Sequence, residues 1–138
     1  MPKINAERLI GDLKRLRQFG AKPPGVVRLA FSEADMEARN WLKDQYTEAG
    51  LEASIDGIGN VLGRSKNPGP ALLIGSHSDS QPTGGWLDGA MGVIYGLEIV
   101  RALAEDSNTR LLSVDAVSWQ DEESRFFSSM GSRSFSGQ

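Results

Sequence analysis

The sequence contains no cysteine and a single histidine, His77. It therefore has no disulfide, no thiolate nucleophile and no cysteine-based metal site. Any imidazole chemistry has to pass through His77. No apolar run approaches the roughly 20 residues that span a bilayer. The opening segment, MPKINAERLIGDLKRLRQFG, is interrupted by Glu7, Arg8, Asp12, Lys14 and Arg15, so it offers no apolar core for a secretory leader. An excess of positive charge is also missing. Fifteen Lys and Arg face 18 Asp and Glu, a formal net charge of -3, which argues against a nucleic-acid surface. The cytoplasm is the expected location. What is present is an ordinary globular composition, 39% hydrophobic and 24% charged over 138 residues, enough for one domain with a core.

Leu9, Ile10, Leu13 and Leu16 recur at helical spacing, and the spacing predicts an amphipathic helix ending near Gly20. Pro23-Pro24-Gly25 predicts an extended connection. Ser32 with Asp35 three residues on reads as a hydroxyl-capped helix start, with the helix running to about Ala49 and stopping at Gly50. LEASID and NVLGRS read as short strands around a turn, with Asn60 at its end as a turn former. ALLIG, residues 71–75, reads as a buried parallel strand. Gly89 to about Ala104 is apolar nearly all round, which predicts a helix buried against a sheet. LLSVDAVSW is the next strand, and the tail FSSMGSRSFSGQ shows no closing element. Strand, helix, strand over residues 71–119 is a βαβ unit and implies an α/β fold with parallel pairing.

In open α/β sheets, sites form beyond the carboxyl ends of the strands. Two loops leave such ends here. One carries His77, Asp79 and Asp88; the other carries Asp121, Glu122 and Glu123. Carboxylates crowded together repel unless protons or cations neutralise them. Imidazole with carboxylate oxygens suits zinc or a similar divalent ion. Each residue also has an ordinary reading. His77 fits a structural role, Asp88 a helix N-cap, Asp79 a cap within its own loop, and the acidic triplet a solvated turn.

The segment GSHSDSQPTGGWLDGAMGVIYGLE, Gly75 to Glu98, resembles the signature of the N-carbamoyl-L-amino-acid hydrolase and allantoate amidohydrolase family. That family lies within the larger group of two-metal aminoacylases and carboxypeptidases. The resemblance rests on His-x-Asp, then Gly-Gly, then Asp-Gly with a further Gly three residues on. RLAFSEADMEARNWL, DGIGNVLGR, SWQDEESRF and MGSRSFSG extend it over nearly the whole chain from Gly25. It implies a fold class of α/β type, the first half of a mixed, mainly parallel sheet with helices packed on it, within a zinc-peptidase-like catalytic domain. It also implies two divalent metal ions, zinc first, with manganese, cobalt or nickel as the other choices. By the resemblance, His77 ligates one ion, Asp88 bridges both and Glu123 ligates the other. Glu122 is then the general base, and Asp79 orients His77 through its second ring nitrogen. The implied reaction is hydrolysis of a linear amide C–N bond in an N-carbamoyl-L-amino acid, with allantoate or another ureido acid as the runner-up.

Two departures from the family pattern bear on this. A Gly usually follows the paired glutamates, but Ser124 stands directly after Glu123. Aligned through Trp119 the pair is Glu122 and Glu123; aligned through Arg125-Phe126 it is Asp121 and Glu122. The first alignment is preferred, because a strand end tolerates less displacement than the loop beyond it. The resemblance also calls for two further histidine ligands, which this sequence lacks. Residues 1–138 are accordingly expected to be the N-terminal portion of the catalytic domain, without the lid and dimerisation domain that makes the full-length form a homodimer. They leave the substrate-binding residues unidentified. The rival reading is a non-catalytic remnant.

Overall fold

The computed structural model describes residues 1–138. Helix α1 (Ala6–Gln18) begins where Asn5 accepts the Arg8 N–H at 3.0 Å, a side-chain cap for an otherwise unpaired donor. Strands β1 (Ala21–Lys22) and β2 (Gly25–Val26) pair antiparallel across a cis Pro23–Pro24 bond. The Pro-Pro-Gly connection is thus a reversal rather than an extended link. Helix α2 (Glu33–Glu48) starts at Ser32, whose hydroxyl accepts the Asp35 N–H at 3.2 Å. It stops at Gly50, which takes the positive φ of 92° that a side chain disfavours.

Strands β3 (Glu52–Ile55) and β4 (Val61–Arg64) form an antiparallel hairpin. Strand β5 (Leu72–His77), helix α3 (Ala90–Glu105) and strand β6 (Val114–Trp119) form the βαβ unit. The sheet order is β3-β4-β6-β5. The sheet is mixed: β5 and β6 run parallel, while the β3–β4 and β4–β6 pairings are antiparallel. Strand β5 pairs on one side only. ALLIG is therefore an edge strand and not a buried one, with Leu72 63% exposed. The tail also differs from expectation, because Met130–Ser136 closes as a short helix, α4, against β6.

One core joins the helices to the sheet. Leu13 and Leu16 of α1, Leu42 and Tyr46 of α2, and Val93, Ile94 and Leu97 of α3 meet Val61 of β4 and Ala116 of β6. The apolar character of α3 is not buried all round, since Met91 and Tyr95 remain exposed. An ion-pair cluster holds α1 to α3. The fully buried Glu98 accepts Arg8 Nε at 2.7 Å, Arg8 Nη2 at 2.9 Å and the Asn5 N–H at 2.8 Å. Burial alone would push the Glu98 carboxyl up, but these donors and the charges of Arg8 and Arg101 hold it below its ordinary value.

Two outcomes follow for stability. Truncating the fully buried Leu42 to Ala should cost about 2–5 kcal/mol, read from the urea unfolding midpoint. A carboxyl depressed by folding contributes stability above the ordinary Glu range and loses it as pH falls through the folded value. Glu98→Gln should therefore flatten the acid limb of a midpoint-against-pH curve; an unchanged limb would count against this coupling.

Candidate metal centre

Strands β5 and β6 end level with each other, with His77 opposite Trp119 in the parallel register. The loops that leave them consequently emerge side by side, at the carboxyl edge where α/β sites form. His77 is the last residue of β5 and is buried. Its Nδ1 lies 3.0 Å from the Asp79 carbonyl oxygen. A carbonyl only accepts, so this contact puts the ring proton on Nδ1 and leaves the Nε2 lone pair free. Nε2 faces Asp88 Oδ2 at 3.6 Å and Glu123 Oε1 at 4.0 Å. These gaps are too wide for hydrogen bonds. Ligands about 2 Å from one ion, or from two neighbouring ions joined by a common carboxylate, stand apart by distances of this order. One atom each from His77, Asp88 and Glu123 lies within 4.8 Å of the others. One imidazole and two carboxylates form a donor set that fits a divalent cation.

The N-cap reading of Asp88 does not hold. The cap position belongs to Gly89, with no side-chain cap bond, and the Asp88 side chain is 73% exposed toward His77. Gly89 takes φ 65°, and a Cβ there would sit 2.5 Å from the His77 ring. The Asp-Gly pair thus lets backbone and imidazole approach closely.

Asp79 is buried and serves both loops. Its carboxylate lies 3.5 Å from His77 Nδ1, and it accepts the backbone N–H groups of Glu122 at 3.4 Å and Glu123 at 3.0 Å. Burial would raise the Asp79 carboxyl, but His77, the Glu123 N–H and Arg39 hold it low. Burial would likewise lower the His77 imidazole, but the hydrogen bond and charge of Asp79 outweigh this and raise it.

The acidic run divides cleanly. Asp121, at φ 53°, is fully buried and accepts the N–H groups of Arg125, Phe126 and Phe127 at 2.7, 2.9 and 2.9 Å. Its carboxylate is occupied inside its own loop. Glu123 faces His77, and Gln81 Nε2 donates to its other oxygen. Glu122 Oε1 accepts the Ser129 hydroxyl at 3.3 Å, while its Oε2 is buried with no partner. An orphaned buried carboxylate oxygen is costly and calls for a proton or a ligand. This geometry supports the alignment that pairs Glu122 with Glu123.

Several contributors carried no sequence signal of their own. Gln81 is one. Arg28 is another: it is fully buried and donates from Nε to the Ser78 carbonyl at 2.6 Å, fastening the His77 loop from behind. Burial pushes this guanidinium down to about 10. Asn60 is more than a turn former. Fully buried, it accepts the Gln120 N–H at 2.9 Å and donates to the Gly131 carbonyl at 3.1 Å, locking the end of β6 to α4.

This arrangement can be set beside known proteins. The model of peptidase family M28 matches residues 58–138, more than half of the sequence, and the chain belongs to that family. It is 40% identical over 97% of its length to an N-carbamoyl-L-amino-acid amidohydrolase from Pseudomonas sp. (strain NS671), covering 34% of that protein. It is 35% identical over 90% of its length to an allantoate amidohydrolase from Bacillus subtilis, covering 32% of it. A crystal structure of an amidase of the hydantoinase/carbamoylase family from Burkholderia phymatum matches 97% of the chain, with 63% identity and a TM-score of 0.96, over 33% of its own length. The chain spans about a third of the length of the curated relatives it matches. No helix is long and apolar enough to cross a membrane.

Gly89→Ala should displace the imidazole and abolish Co2+ binding as thoroughly as His77→Ala, measured by the visible absorption of the bound ion. Co2+ affinity should also rise with pH through the raised His77 value, because the ion must displace the imidazole proton. A flat profile between pH 6 and 8 would remove His77 from the ligand set.

Proposed function

We propose that His77, Asp88 and Glu123 hold divalent cations in a centre that hydrolyses a linear amide C–N bond, with an N-carbamoyl-L-amino acid as the substrate. The observation that carries this reading is the convergence of one imidazole and two carboxylates within 4.8 Å, beside a Glu122 oxygen with no partner. The names of the relatives point to the same bond class. His77 would hold one ion and Glu123 the other, with Asp88 between them; zinc suits this oxygen and nitrogen set best. Bound cations of this kind acidify water and polarise a substrate carbonyl.

The protein's own residues then have distinct tasks. Asp79 keeps the His77 proton on Nδ1 through its carbonyl and balances the ring with its carboxylate. Glu122 is the base. Ser129 ties Oε1, so Oε2 is the atom that takes a proton from the attacking water and returns it to the departing nitrogen. Overall, one water and one carbamoyl amino acid become the free amino acid, ammonia and carbon dioxide.

Two donors per ion fall short of the three usual in catalytic zinc sites. That count favours a second reading for these 138 residues taken alone, a folded piece that binds metal weakly and turns nothing over. Dialysis of the purified chain against Zn2+ or Mn2+ should leave little bound metal and no ammonia release; two tightly held ions with turnover would refute this. The activity itself can be tested by placing residues 1–138 in the Burkholderia phymatum amidase in place of its matching third. This chimera should release ammonia from N-carbamoyl-L-amino acids faster than from allantoate, and the reverse order would favour the ureido-acid reading. Within it, Glu122→Gln should lower turnover about 10²–10⁴-fold while metal content stays. Glu123→Gln should lose metal as well. If Asp121→Asn instead shows the base-like pattern, the pair is Asp121 and Glu122.

A further inference from the structure

Arg39 lies in the middle of α2, a helix that contributes no group to the cation site. Its side chain is fully buried. Nε donates to both carboxylate oxygens of Asp35 at 3.0 Å. Nη1 donates to the carbonyls of Gly59 at 3.2 Å and Ser118 at 3.3 Å. Nη2 donates to the Trp119 carbonyl at 3.1 Å and lies 3.9 Å from Asp79 Oδ1.

These contacts share a pattern. Ser118 and Trp119 are the last residues of β6, and the loop that follows carries Glu122 and Glu123. Asp79 follows His77 by two residues and accepts the N–H groups of both glutamates. One rigid planar group therefore touches the strand end behind the glutamates and the carboxylate behind the imidazole. We propose that Arg39 is a positioning residue of the cation centre. It sets the separation of His77 from Glu123 by holding Asp79 and the end of β6 at a fixed spacing. This rests on the cation-site reading given above.

Charge balance alone does not account for the arrangement. Asp35 already neutralises the guanidinium from the same helix, one turn away. The remaining donors go to the Ser118 and Trp119 carbonyls at the end of β6 and to Gly59 in the turn before β4, and Nη2 also lies beside the Asp79 carboxylate. Lysine would keep the charge, but its three donors on a flexible stem cannot reproduce a planar fork that hydrogen-bonds four residues and lies beside a fifth, Asp79. Arg28 is equally buried, but it joins the Ser78 carbonyl to those of Leu16 and Phe19, fastening one loop to α1 without linking the two loops.

The test is a Co2+ titration of the 138-residue chain without dialysis, carried to ion concentrations that saturate a weak site and followed by the visible band of the bound ion and by the ring signals of His77, its one imidazole, in NMR spectra. Urea unfolding without metal runs in parallel. Arg39→Lys should remain folded and lose Co2+ affinity about ten- to a hundredfold, the usual effect of removing a group behind a ligand. Asp79→Asn should do the same, and the double variant should lose little more than the worse single, because the two act as one unit. Leu42→Ala, on the same helix and similarly destabilised, should keep its Co2+ affinity. If Arg39→Lys fails to fold, the apolar pair Asp35→Leu/Arg39→Met takes its place, since buried ion pairs are often replaceable this way without loss of stability. Its expected loss of affinity is the same. A folded Arg39 variant that binds Co2+ as well as Leu42→Ala does overturns the inference while leaving the cation site standing. Equal Co2+ binding by the unaltered chain and His77→Ala overturns the site reading, and the inference falls with it.

Discussion

Carboxylates gathered at one end of a sheet repel one another, and the rest of this structure depends on how that repulsion is met. Most are met locally. Asp35 lies against Arg39, Asp79 against Arg39 and two backbone N–H groups, and Asp121 against three more. Farther away, Glu98 is met by Arg8 and Asn5. Around the His77 Nε2 the compensation is thinner. Asp88 has no hydrogen-bond donor, Glu123 has Gln81 on one oxygen, and Glu122 has Ser129 on one. Negative charge left without protein donors, beside a free imidazole lone pair, is the electrostatic signature of a place for cations.

How much of this the sequence discloses depends on the range of the interaction. The Ser32 cap, the Gly50 stop and the β5-α3-β6 unit are legible because each rests on neighbours within a few residues. His77, Asp88 and Glu123 are legible because strand ends and motif spacing place them on one edge. The edge position of β5 is not, since an apolar run looks the same whether a strand has one partner or two. Nor is Arg39, which along α2 differs from a surface arginine only in contacts to residues 59, 79, 118 and 119. The order of the acidic run was ambiguous for a related reason. Only the positive φ of Asp121, which turns its carboxylate back onto the loop, separates it from the glutamates.

Family membership and site geometry carry different weight. The family model speaks for residues 58–138, and the 0.96 TM-score for the scaffold over 97% of the chain. The chemistry proposed for the site depends on the spacing of two loops, and Asp79 is the group that joins them. This one buried carboxylate contacts the imidazole on one side and the amides of both glutamates on the other. The scaffold supplies two strands of equal reach, and the polar groups behind them convert equal reach into convergence.

Strand β5 has a further consequence. Its outer flank is a row of backbone donors and acceptors with no strand beside it, and Leu72, Leu73 and Ile74 carry neither charge nor proline to discourage a newcomer. On α3, Met91 and Tyr95 are also exposed. An open apolar edge of this kind is a general template for pairing with another strand, and the strand that carries it here is the one that ends in His77. An open pairing edge and the candidate ligand His77 thus share the same six residues.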